Sequence, residues 1–223
     1  MGLNADLADV RTYVYRSFAD EARVVTPEDV GAAFSISAME ALSALRELHE
    51  AHLVVLDPSL SRIVMAHPWA ASFMGFVVAS ASQKWWGGCA WDSFAIPALV
   101  DDPCLVATRC PACSTPLVVD VMPDQAPMGD LVAHFVVPVK RMWDDVVLTC
   151  SNQLLFCDEQ HVDQWLAREG HSRGAILDLG TLWQLATGWY EGRLARDYRR
   201  RTASEAAAFF GSLGLAGDFW ATA

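Results

Sequence analysis

Apolar positions recur at helical spacing through the first part of the chain. Over residues 7–18, Val10, Val14 and Phe18 fall on one face, which predicts an amphipathic helix. The stretch VVTPEDVGAAF predicts a second. Thr26 can cap it, Pro27 suits the first helical position, and Glu28 and Asp29 complement the positive end of the helix dipole. A third capped helix is predicted over residues 37–49, starting at Ser37. The period then changes. Residues 53–56 read as a short strand, DPSLS as a turn, and residues 62–66 as the partner strand. Three helices followed by a hairpin is the winged-helix pattern, here assigned to residues 1–68. The same pattern also serves as a packing or dimerising module. Residues 63–83, IVMAHPWAASFMGFVVASASQ, carry no charge and are long enough to span a bilayer. His67, Pro68, Ser72 and Gly75 interrupt the run, and it begins with strand-like alternation. It is therefore expected to form a buried strand, a turn and a second core segment.

Residues 69–88 lead into KWWGGCAWDSF. The segment CAWDSFAIPALV is predicted helical, with Pro97 ending or kinking it. CLVATRCPACSTPLVVDV reads as β-rich with a turn at CPAC, LVAHFVVPV as another strand, and residues 146–150 as one more. DEQHVDQWLAREG is predicted to be a helix that stops at Gly170, and GAILDLGTLWQLATGWYEGRLARDY contains a further amphipathic segment. TASEAAAFFGSLGL reads as a last helix, capped by Thr202 or Ser204 and ending at Gly211. The predicted class is α+β: a winged-helix-like three-helix module, then a domain over residues 69–223 built on a mixed or antiparallel sheet with flanking helices.

Composition narrows the function classes. The chain of 223 residues is 53% hydrophobic and 19% charged, enough to bury a sizeable core. Its formal net charge of −11 repels phosphate backbones and anionic lipid, so neither nucleic acid nor membrane is expected as a partner, and the helical module is not expected to read DNA. MGLNADLADVRTYVY lacks the basic-then-apolar order of a secretory signal, which points to a cytoplasmic protein. Its six cysteines are then expected to be thiols serving as core residues, metal ligands or nucleophiles.

Two stretches could carry chemistry. In GGCAWD, Cys89 and Asp92 lie three apart and share a helix face, where a thiol and a carboxyl can exchange a proton. Gly87 and Gly88 allow close backbone approach, and a cysteine in a first turn gains thiolate character from the helix dipole. The plainer reading makes Cys89 a small buried residue and Asp92 a surface carboxylate. In VVLTCSNQLLFC, Cys150 closes a predicted strand before the polar turn SNQ, which is expected to expose it, and Cys157 ends the next apolar stretch. Cys110 and Cys113 form CPAC, which is half of a zinc site or a redox pair. No second CxxC follows and no paired histidines sit at ligand spacing, so structural zinc, a disulfide and plain thiols all stay open; Cys104 and Cys157 are candidate completions. The six histidines are taken as structural.

GGCAWDSFAIPALV and TCSNQLLF, in this order, resemble the two active-site segments of the organomercurial (alkylmercury) lyase family. DEQHVDQWLAREG falls where that family has an acidic, tryptophan-bearing helix, and the N-terminal pattern resembles its first domain. The resemblance implies that Cys89 and Cys150 are the catalytic thiols and mercury ligands, and Asp92 the catalytic carboxyl and a further candidate ligand. It implies protonolysis of a carbon–mercury bond to a hydrocarbon and Hg(II), as in mercury resistance. Mercury(II) is soft, so thiolates are its preferred ligands. No cofactor is required in this scheme. The partners are a small organomercurial and small-molecule thiols, or a mercury-accepting protein, that remove the ion. Trp85, Trp86 and Trp91 suggest an aromatic pocket wall, which leaves two alternatives: the same trio acting on a non-mercurial substrate, as in secondary metabolism, or a non-catalytic thiol protein that binds metal or regulates.

Overall fold

Side-chain caps start the first three helices where the pattern predicts them. In the computed structural model, which describes residues 6–222, α1 (Leu7–Glu21), α2 (Pro27–Phe34) and α3 (Ala38–Glu50) are capped by Asp6, Thr26 and Ser37. The leading MGLNA of the segment read for a signal, and Ala223, lie outside the described residues. Thr26 and Ser37 each close a reciprocal capping box, with Asp29 and Glu40. Val10, Val14 and Phe18 are buried together, as their spacing requires. β1 (Val55–Leu56) and β2 (Ile63–Ala66) form the expected antiparallel hairpin. The Asp57 carboxylate holds its turn, accepting the Ser61 and Arg62 backbone N–H groups at 2.9 and 3.2 Å.

The uncharged run resolves into strands. β2 is followed by β3 (Trp69–Ala70) and β4 (Phe76–Ala79), and β5 (Lys84–Gly87) comes next. Among the described residues no helix is long and apolar enough to cross a membrane. With β6 (Cys104–Arg109) and β7 (Pro116–Val121) these strands build a seven-stranded sheet in the order β1-β2-β3-β5-β4-β6-β7. A second sheet has the order β10-β8-β9, from Ala175–Asp178, Val132–Phe135 and Gln153–Phe156. Every registered pair is antiparallel, so the described residues form two antiparallel sheets and no mixed one. Because β2 pairs with β3, the sheet runs across residue 68 and the N-terminal helices share its core.

The helix α4 (Ala90–Val100) is apolar on every face apart from Asp92 and Ser93, and such a helix must be buried. It packs on α7 (Leu179–Tyr190) and on β4, β5 and β9. It runs through Pro97 and ends at Asp101, so the proline does not terminate it. The larger correction concerns residues 146–150, which are helical and not a strand: α5 spans Val146–Ser151. Asp145 caps it by accepting the Leu148 N–H at 2.9 Å, and Val147 and Leu148 face solvent, where β propensity has nothing to pack against. The strand comes afterwards, as β9. The helices α6 (Glu159–Glu169) and α8 (Ala203–Ser212) follow the pattern, with Gly170 ending the first and Thr202, not Ser204, capping the second.

Candidate active site

β5 delivers two glycines to the buried start of α4. Cys89 is the cap residue itself, one step before the first turn where it was expected, and its Sγ accepts the Asp92 N–H at 3.3 Å. The glycines are there for close approach. A Cβ on Gly88 would lie 2.3 Å from Asp92 Oδ2 and 2.4 Å from Met65 Cε, and one on Gly87 would lie 2.0 Å from Ser93 Oγ. Asp92 is 1% exposed, which removes the plain reading of a surface carboxylate.

Cys150 reaches the same place from the end of α5. It is buried, contrary to the exposure expected of a residue before a polar turn: Ser151 next to it is exposed, but Cys150 is on the inner side of α5, where β9 packs on α4. Its Sγ sits 3.7 Å from Asp92 Oδ2 and 3.5 Å from His67 Nε2. Cys89 and Cys150 face one another, and the Cys89 thiol donates to Gln153 Oε1 at 2.9 Å. The Tyr190 hydroxyl donates to Asp92 Oδ1. The three residues singled out from the sequence are therefore brought together. His67, Gln153 and Tyr190 join them unpredicted. His67 had a weak signal, a histidine inside an apolar run; Tyr190 had none.

The two thiols differ in character. Burial pushes Cys89 well above the ordinary thiol value, and contact with Cys150 and the charge of Asp92 act in the same sense. The helix dipole, expected to favour a Cys89 thiolate, is outweighed. Cys150 moves down: its contact with the Cys89 thiol favours its thiolate most, and His67 adds to this against the cost of burial. Burial disfavours a charged His67, yet Asp92 and then Cys150 bring its pKa above the usual imidazole value. Tyr190 is driven well up by burial and next by the Asp92 charge, so it stays a phenol that can only donate to that carboxyl. Cys150 is thus the thiol that ionises first and Cys89 the one that keeps its proton.

A cavity of about 350 Å³ opens onto this group. Cys150, Asp92 and His67 line it, whereas Cys89 stands behind them. Trp91 and Trp189 form an aromatic wall, and Lys140 and Arg200 stand among its cations. Of the tryptophans in the opening motif only Trp91 serves the pocket. Trp85 donates to Phe18 O at 2.9 Å and ties α1 to the sheet, and Trp86 lies on the surface against Phe73.

The remaining cysteines lie elsewhere, and all six are free thiols. Cys110 and Cys113 sit in the β6–β7 turn, and Cys157 comes against them, with Cys113 and Cys157 Sγ 3.8 Å apart. Cys157 therefore belongs to the CPAC turn and not to the Cys150 site. Thr115 hydrogen bonds hold the exposed Cys113 down at about 6, while burial lifts Cys157 to about 12. Cys104 is separate, donating to Asp102 O at 3.3 Å, and burial pushes it up to about 12.

Two comparisons with known proteins find matches. The family model described as MerB, alkylmercury lyase, matches residues 70–191, more than half of the chain. Among solved structures, the mercury-bound form of MerB2 superposes with a TM-score of 0.66 at 15% identity, covering 85% of this chain and 91% of that one. At that identity the likeness concerns the fold. A search of curated proteins finds no match.

Proposed function

The chain belongs to the alkylmercury lyase family, and from that premise we propose that it cleaves a carbon–mercury bond by protonolysis, with Cys150, Cys89 and Asp92 as the reacting groups. The observation that carries this reading is the placement of a readily ionised thiol, Cys150, and a carboxyl, Asp92, side by side on the cavity wall, with a protonated thiol, Cys89, directly behind. Cys150 binds mercury first, as a thiolate, displacing the substrate's anionic ligand; the Cys150 proton leaves through His67. Cys89 adds next. Its proton passes to Asp92, directly or through one water, and two thiolates on the metal push electron density onto carbon. Asp92 then protonates carbon, which keeps the bonding pair as the carbon–mercury bond breaks. The products are the hydrocarbon and Hg(II) held by two thiolates, while the displaced anion balances the released proton. Small-molecule thiols carry the ion away.

In this scheme Tyr190 fixes the carboxyl that delivers the proton, and Gln153 holds Cys89 until it is needed. Purified protein with excess thiol and phenyl- or methylmercury is expected to release benzene or methane. Asp92→Ala is expected to bind mercury without turnover. No release, or release unchanged in Cys89→Ala and Cys150→Ala, sinks the proposal.

One observation favours a second reading, a family-type enzyme that acts on a non-mercurial substrate. The cavity is roomy, aromatic and cationic, with Trp91, Trp189, Lys140 and Arg200 on its walls, and so suits an organic anion larger than methylmercury. That reading predicts no hydrocarbon release from either organomercurial and an organic anion retained in the cavity by native mass spectrometry.

A further inference from the structure

We propose that Cys110, Cys113, Cys157 and His161 form a second metal site, a Cys₃His site for a thiophilic cation of the Zn(II) class, which clips the large sheet to the small one. It shares no residue with the site above and does not depend on the lyase reading.

The sulfur atoms of Cys110, Cys113 and Cys157 all lie within 4.8 Å of one another. Tetrahedral zinc with Zn–S bonds of about 2.3 Å places its sulfurs about 3.8 Å apart. Cys113 and Cys157 have that spacing, 3.8 Å, with no bond between them. The fourth ligand comes from α6. His161 borders the three-sulfur group on the Cys113 side, and its Nδ1 is paired with Asp158 Oδ1 at 2.7 Å, so its Nε2 would have to move in toward the sulfurs to complete the site. A carboxylate behind a histidine is the arrangement that orients metal-bound imidazoles and fixes their tautomer. In sequence the ligands read CPAC, then CDEQH, so each half contributes a closely spaced pair as zinc sites do.

The frame is assembled by contacts that need no ion. In the CPAC turn Cys110 N–H donates to Thr115 O at 2.9 Å, and Ser114 N–H donates to Cys110 O at 2.8 Å. From α6, Arg168 donates to Pro111 O at 2.7 Å and to Ala112 O at 3.3 Å, docking that helix on the turn. Asp158 also caps α6 through the His161 N–H at 2.8 Å, which holds the carboxylate and the ring in one place. A metal here would join the β6–β7 turn of one sheet to the strand end and helix start that follow β9 in the other.

The test is to purify the full chain under reductant, measure bound metal by mass spectrometry, and exchange it for Co(II). About one zinc per chain is expected, and Co(II) should show thiolate charge-transfer and tetrahedral d–d absorption. Cys89→Ala and Cys150→Ala should keep that spectrum. Cys113→Ser and Cys157→Ser should weaken Co(II) affinity at least tenfold, and His161→Ala should shift the d–d bands while retaining charge transfer. If a cysteine variant does not fold, the parent spectrum and His161→Ala still decide. A parent chain with neither zinc nor a tetrahedral cobalt spectrum overturns the proposal. So does a cobalt signal lost in Cys150→Ala and kept in Cys113→Ser, or unmoved by His161→Ala.

Discussion

Cys150 and Cys113 carry the same side chain in opposite surroundings, and both are shifted toward thiolate. Cys150 is buried, and its ionisation depends on a neighbouring thiol and on His67 overcoming desolvation. Cys113 is exposed, and local hydrogen bonds from Thr115 suffice. The buried thiol faces a histidine, a carboxyl and a cavity, so it has groups that can move protons and open space beside it. The outer thiol faces two more sulfurs and a histidine, so it has ligands and no carboxyl on the sulfur itself. On the proposed readings, the contrast separates a site that moves a proton from one that holds an ion.

Four measurements break or sharpen that contrast. The largest effect is expected from Cys150→Ala and Cys89→Ala, each lowering organomercurial turnover on the order of a thousandfold, since each removes a group that the proposed reaction needs. If turnover instead fell only in Cys113→Ser, the two clusters would have to exchange roles. Next, Tyr190→Phe takes away the donor to Asp92 Oδ1. A hydrogen bond to a charged, buried group is worth roughly 1.5–3 kcal/mol, so kcat should fall about 10- to 100-fold with mercury binding retained. An unchanged kcat would show that the phenol does not position the carboxyl.

Gly88→Ala drives a methyl group into Asp92 and Met65. It should destabilise the fold by about 1–3 kcal/mol, read as a lower denaturant midpoint, with activity falling in the protein that remains folded. A midpoint equal to the parent's would mean that α4 can shift away. The smallest effect concerns pH. Cys150 is depressed, so the rate should rise with pH through an inflection below the ordinary thiol value. In His67→Asn one of the groups favouring the thiolate is lost, so the inflection should move to higher pH while the high-pH plateau changes less. An inflection that stayed in place would remove His67 from the proton path.

Much of the helical half was legible because its signals are local. Thr26, Ser37 and Thr202 cap helices from within a few residues, and Gly170 stops one. Some short strands were legible, β1 and β2 as a hairpin, but β3 and β10 were not. β3 has two residues and β10 four, too few for alternation to register, and the β5 partner of β3 lies further along the chain and the β8 partner of β10 earlier in it. Residues 146–150 misled because Val and Leu suit a strand, while the Asp145 cap and an exposed outer face make them a helix. In the site, Cys89 and Asp92 were legible as a motif, but the assignment of proton character was not. A dipole argument from the sequence favours a Cys89 thiolate; burial, visible only in the fold, reverses it.

The sequence by itself determined the α+β class, the positions of most helices and the residues able to carry soft-metal chemistry, because periodicity, caps and side-chain type act over a few residues. Only the tertiary structure decided which thiols share a site. It set Cys150 against Asp92 and His67, and gathered Cys157 and His161 to the CPAC turn. The physical reason is that antiparallel pairing and the packing of the largely apolar helix α4 bring distant segments into contact. The same burial then fixes which of two identical thiols gives up its proton.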